Sequence, residues 1–145
     1  MNWKQEAIRD LQNYQKRKEA LKNMRQAIHL LDDDYCSIKG VSVDSVSIQG
    51  NTGGTEEWML NNIIKRERLK TNIAATEAWL TLIENGLRAL TDQQRDILTE
   101  FYIRRNPGHV ERLMERYHME KTKVYEQKNQ ALYDFTLLMY GVTDY

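Results

Sequence analysis

The chain has 145 residues, 41% hydrophobic and 29% charged, enough apolar side chain for one core, or for two small domains joined by a long helix. Its 21 basic and 21 acidic residues cancel, which excludes recruitment of nucleic acid by a global field and leaves that question to local charge. One cysteine, Cys36, excludes an internal disulfide and fits a reducing compartment.

Residues 4–34 contain neither glycine nor proline and predict a long helix. Ala7, Leu11, Tyr14, Leu21 and Ile28 follow a 4-3 spacing, with Lys18 and Arg25 in the intervening seam positions. Such a broken seam argues against an autonomous coiled coil and for packing on another helix. Over 4–31, seven basic residues face three acidic ones, a partner surface or a solvated face. Asp32-Asp33-Asp34 is read as a stop signal, because negative charge opposes the dipole at a helix C-terminus. It lacks the glycine and distal glutamate of a calcium loop. From 37 to 55, Val41, Val43, Val46 and Ile48 alternate with polar residues and run into Gly50-Asn51-Thr52-Gly53-Gly54. This predicts a small β-hairpin or a flexible connector. No Lys-Ser/Thr follows the glycines, so no phosphate loop is expected.

Thr55 is the expected N-cap of the next helix, which runs to about Leu90. Its positions Met59, Asn62, Arg66, Leu69, Ile73, Thr76, Leu80, Ile83, Leu87 and Leu90 alternate 3 and 4 apart without a break. This helix is expected to fold back on residues 4–34 as a hairpin, and it can also pair with a second copy of the chain in a homodimer through the long helices. Gly86 in mid-helix marks a bend or a close approach. The expected division is thus 1–89, a long helical hairpin with a connector at 37–55, and 90–145, a C-terminal helical bundle, giving an all-α fold.

Thr91-Asp92-Gln93-Gln94 is a capping box that opens a helix burying Ile97, Leu98, Phe101 and Tyr102. Pro107-Gly108 closes it. Val110, Leu113, Met114 and Tyr117 then mark a short helix, His118-Met119-Glu120 interrupts, and a second helix opens at Lys121. That helix buries Val124, Ala131, Leu132 and Phe135. Its opposite face collects Thr122, Lys123, Glu126, Asn129, Gln130 and Tyr133. A short helix holding a longer one with a polar outer face is the geometry of a helix-turn-helix reader. From Ile103 to Gln130, seven basic residues outnumber four acidic ones, so positive charge gathers where phosphate contacts are expected.

Taken together, Leu90 to Leu98, the aromatic pair Phe101-Tyr102, Pro107-Gly108, Val110 to Met114, Tyr117 to Tyr125 and Asn129 to Leu132 resemble region 4 of sigma-70-type factors. The arrangement is similar to the phage-encoded ArpU/RinA-type late-gene transcription regulators, which set such a region behind a long helical N-terminal part. Trp58-Met59-Leu60 behind a glycine-rich loop is similar to that family as well. The chain departs from the pattern where His118-Met119-Glu120 replaces a Gly-Ile/Leu-Ser turn, and where Glu126 brings an acid onto the groove face. The resemblance implies sequence-specific binding of double-stranded DNA at late promoters, with contact to RNA polymerase, in the host cytoplasm. Base-edge contacts are assigned to Lys121, Thr122, Lys123, Glu126 and Gln130, since glutamate can accept from cytosine N4. Phosphate contacts are assigned to Arg105, His109, Arg116 and Asn129. Lys128 lies toward the buried side and snorkels from the core rim.

A helical phage assembly or packaging subunit of the small-terminase kind, or an adaptor that binds RNA polymerase alone, shares the same element pattern. No enzyme is expected. His29, His109 and His118 lack metal-ligand spacing, and Cys36 stands beside three acids that disfavour a thiolate. No cofactor or metal is called for. No run of about 18 apolar residues exists and no apolar core follows Met1, so a soluble, intracellular chain without membrane contact is expected.

Overall fold

The structure, a computed structural model, describes residues 1–45 and 52–142, with side chains over 1–38 and 54–142. The fold is all-α. Helices α1 (Trp3–Ser45), α2 (Thr52–Arg88), α3 (Asp92–Leu98), α4 (His109–Tyr117) and α5 (Lys121–Tyr140) are joined by a π-helical turn, Thr99–Arg104, that continues α3. No strand occurs among the described residues, and no helix there is long and apolar enough to cross a membrane.

The expected hairpin or connector at 37–55 falls in part on 46–51, outside the described residues. The rest of it is helical: α1 continues to Ser45 and α2 begins at Thr52. The triple aspartate therefore does not stop α1. Asp32 is held by Arg66 at 2.6 Å, and the same guanidinium lies 4.7 Å over the Tyr35 ring. With the helix end carried on to Ser45, the three carboxylates no longer sit in the last turn, where the dipole would oppose them. Thr55 lies inside α2 rather than at its cap, a shift of one turn at a helix end, where cap and propensity compete.

The chain divides into two compact units, Met1–Lys18 with Trp79–Tyr145, and Glu19–Ala78. The division differs from the expected boundary at 89/90 for a packing reason. Ala7 and Leu11 from the start of α1, and Ile83, Leu87 and Leu90 from the end of α2, share one buried cluster with Leu98, Ala131, Leu132 and Phe135. The ends of the long helices are thus part of the C-terminal core. Within Glu19–Ala78 the helices run antiparallel as a hairpin, tied by Arg25–Glu77 at 2.6 Å and by Asn62 Nδ2 donating to the Leu31 carbonyl at 2.9 Å.

Around the C-terminal core, local chemistry explains the boundaries. Thr91 Oγ1 accepts from the Gln94 amide and Gln94 Oε1 accepts from the Thr91 amide, each at 3.2 Å, the reciprocal capping box that the sequence calls for. Arg95 reaches back to the carbonyls of Leu87, Arg88 and Leu90, satisfying acceptors that the end of α2 leaves open. At α5's far end, Tyr140 stacks at 4.9 Å on Trp3 and donates a hydrogen bond to Asp10. Gly86 is the expected close approach: a Cβ there would meet Met139 Sδ at 3.0 Å and Phe135 Cε2 at 3.1 Å.

Gly86→Leu is expected to lower stability by about 2 kcal/mol in urea unfolding, because overpacking against the buried Phe135 ring outweighs the gain of about 1 kcal/mol in helix propensity. A stabilised Gly86→Leu variant would contradict this packing.

Candidate nucleic-acid interface

The candidate interface is built by α4, the turn after it and the first three turns of α5. Helix α4 seats Val110 and Leu113 in a second buried cluster with Ile97, Phe101 and Val124. Met114, Tyr117 and Met119 pack against its edge. Because Val124 belongs to this cluster and Ala131, Leu132 and Phe135 to the main one, one face of α5 is consumed by the core over its whole length. The other face is left outward.

The turn is made by backbone conformation. His118 takes the left-handed form, with φ 52, and its amide caps the Met114 carbonyl. Met119 N also bonds to the Met114 carbonyl at 3.1 Å. Glu120 returns to extended backbone as the N-cap of α5, with no side-chain capping bond. His118 therefore stands where a glycine would be unstrained.

An acid–base network that the sequence reading missed fixes α4 on α3. Arg116 Nη1 lies 2.5 Å from Asp96 Oδ2, which also accepts from the Tyr117 hydroxyl at 2.6 Å. Arg112 Nη2 lies 2.8 Å from Glu100 Oε2, and Arg116 Nη2 lies 3.9 Å from the other oxygen of that carboxylate. Glu100 is only 5% exposed, so its charge is tolerable only because arginine is present. Burial would push the Asp96 carboxyl up, but the bonds from Tyr117 and Arg116 and the charges of Arg116 and Arg104 outweigh it and hold the carboxyl below its ordinary value. The signal for this network was in the sequence: two acids four residues apart, Asp96 and Glu100, and two arginines four apart, Arg112 and Arg116.

The expected site residues fall into two groups. Lys121, Thr122, Lys123, Glu126, Asn129 and Gln130 are all exposed on α5, with Tyr133 continuing the same ridge. Gln130 Nε2 donates to Asp134 at 3.0 Å, and Gln94 Nε2 donates to the other oxygen of that carboxylate at 2.7 Å. Arg105 is exposed in left-handed backbone, with φ 48, at the end of the π-helical turn. His109 is half-buried at the start of α4; its Nδ1 lies 3.2 Å from the Asn106 carbonyl and its ring packs edge-on against Phe101 at 4.7 Å. Arg116 differs from expectation. Its guanidinium is held by Asp96 and Glu100, so it is a brace for α4 rather than a free phosphate ligand. Arg104, Arg105, Lys121 and Lys123 have no ion-pair partner among the described residues.

Lys128 snorkels as expected. Its Nζ lies 5.5 Å over the Phe101 ring and 5.6 Å over Tyr125. Desolvation first, and the charge of Lys4 second, lower its pKa. Comparison with family models, with curated proteins and with solved structures finds no match to the chain.

His118→Gly is expected to raise stability by about 1 kcal/mol in urea unfolding, since it removes a Cβ from left-handed backbone; a loss of stability would mean that the ring makes an essential contact. Asp96→Asn is expected to destabilise at neutral pH and to converge with the wild type in acid. A depressed folded pKa contributes stability above the ordinary value of 3.8, and that contribution is lost as pH falls through the folded value. Unfolding curves at pH 7 and at about pH 2.5 check this sign. A difference that does not change with pH would contradict it.

Proposed function

We propose that the protein is a sequence-specific regulator of transcription that binds double-stranded DNA, of the phage late-gene type that its C-terminal half resembles. It seats α5 in the major groove. The observation that carries this reading is the outward ridge of α5, where seven polar residues from Lys121 to Tyr133 stay exposed while the opposite face is buried in two clusters. A major groove about 12 Å wide admits one helix and offers each base pair's full donor and acceptor pattern.

The roles follow from chemistry. Lys123 and Lys121 donate to guanine O6 and N7, Gln130 reads adenine by paired donor and acceptor, and Glu126 accepts from cytosine N4. Arg105, His109 and Asn129 bind phosphate, and Arg104 joins them as a free cation beside Arg105. Gly108 leaves the first amides of α4 without a side-chain cap, so they are available to the same phosphates. Arg112 and Arg116 hold α4 against α3 and keep this frame rigid. In a host cell the protein acts at promoters, beside RNA polymerase.

A mobility-shift titration against duplex fragments from the protein's own genomic neighbourhood, at two salt concentrations, tests the reading. With two free cations, Arg104 and Arg105, on phosphate, the logarithm of affinity should fall with the logarithm of salt at a slope of about −2. Lys123→Ala should weaken binding by about 1–3 kcal/mol and relax the preferred site at one position. Binding that is absent or insensitive to salt would count decisively against it, and capture of polymerase insensitive to Lys123→Ala would favour an adaptor instead.

A further inference from the structure

Helix α2 has apolar residues on two opposite faces. One face carries the 4-3 series from Met59 to Leu87, every member buried or half-buried. The other carries a second 4-3 series, Leu60, Ile64, Glu67, Thr71, Ala74 and Ala78, and every member is exposed. Leu60 is 56% exposed and Ile64 40%, with Ile63 beside them at 39%. Within Glu19–Ala78, Leu21 is the one described apolar side chain that is buried. Two helices in this unit thus leave uncovered an outer stripe about five turns long, apolar at Leu60, Ile64, Ala74 and Ala78 and polar at Glu67 and Thr71 in its middle.

We propose that this stripe is the contact with a second copy of the chain, α2 lying antiparallel to α2 about a twofold axis midway between Glu67 and Thr71. The stripe is complementary to its own reverse. Antiparallel pairing sets Leu60 of one copy on Ala78 of the other, Ile64 on Ala74, and Glu67 on Thr71, so each large side chain meets a small one. A parallel pairing would set Leu60 on Leu60, leave Ala74 on Ala74 as a gap, and bring Glu67 against Glu67. Charge agrees with the antiparallel arrangement. Glu67, the only charged residue of the stripe, is paired at 3.1 Å with Lys70 of its own helix; in the antiparallel arrangement this pair meets Arg68 and Lys70 of the second copy, whereas in parallel register two Glu67 carboxylates face each other. A shallow depression lined by Glu67, Arg68, Thr71 and Asn72 marks the midpoint of the stripe, where the axis would pass. The alanines allow the close end of the usual interaxial range of about 8–10 Å. This inference is independent of the DNA reading and can fail or stand without it.

Light scattering of the full chain at micromolar concentration is expected to give twice the 17.2 kDa chain mass. Ala74→Arg is expected to give the single-chain mass with unchanged helical circular dichroism, because position 74 is exposed within the chain. The register is read in a Cys36→Ser background. Ile64→Cys combined with Ala74→Cys should form covalent dimers under mild oxidation, while Ile64→Cys alone should not. The two engineered thiols lie about 15 Å apart on one helix, beyond disulfide reach within a chain. A monomeric wild type, a ring of many copies, or equal cross-linking by Ile64→Cys alone would overturn the proposal.

Discussion

The pairing of Asp96 and Glu100 with Arg112 and Arg116 is the constraint on which the C-terminal part of the fold depends. Helix α4 has nine residues, too few to be stable on propensity alone. It is held by a narrow apolar stripe and by two arginines on two carboxylates, one of them buried. Removing Glu100 leaves Arg112 without its carboxylate, and removing Arg112 leaves the buried Glu100 with only Arg116 at 3.9 Å, which is the costly case. The position of α4 in turn fixes the His118–Glu120 turn and the direction in which α5 leaves it. The charge network thereby fixes where α5 begins, while burial of Val124, Ala131, Leu132 and Phe135 decides which side of it faces out.

The same network redistributes the local charge. Counting residues from Ile103 to Gln130 gives a basic surplus, but Arg112 and Arg116 are spent on the acids of α3 and the π-helical turn. Of the five cations left, Lys128 lies over the Phe101 and Tyr125 rings, while Arg104, Arg105, Lys121 and Lys123 sit at the end of that turn and in the first turn of α5. The unpaired basic character is therefore concentrated around the start of α5 rather than spread along it. Long-helix ends complete the frame: Ala7, Leu11, Ile83 and Leu87 fill the far side of the core that α5 closes. Tyr140 ties Trp3 and Asp10 to the end of α5. Burial first, and then the Asp10 carboxylate that its hydroxyl bonds, push the Tyr140 pKa up.

Much of this was legible in the residues, where local signals agree with one another. The start of α3 follows from a reciprocal Thr91–Gln94 cap, and the limits of α4 and α5 follow from apolar spacing broken at Pro107-Gly108 and at His118-Met119-Glu120. The inner 4-3 series of α2 predicted its buried face. What was not legible depends on partners distant in sequence. Of Asp32-Asp33-Asp34 only Asp32 is paired, with Arg66 on another helix, and α1 runs on past all three to Ser45. The π-helical turn escapes because Ile97, Leu98, Phe101 and Tyr102 suit either helical form. Arg116 was assigned to phosphate because a charge count does not show which cations are already paired.

The most direct measurement is an NMR titration of the isotope-labelled protein with a short duplex at low salt. Backbone shifts concentrated at Arg104–Arg105 and along Lys121–Tyr133, reversed by added salt, are what the account predicts. Shifts confined to Leu137–Val142 or to the Glu19–Ala78 hairpin, or no shifts at all, would contradict it.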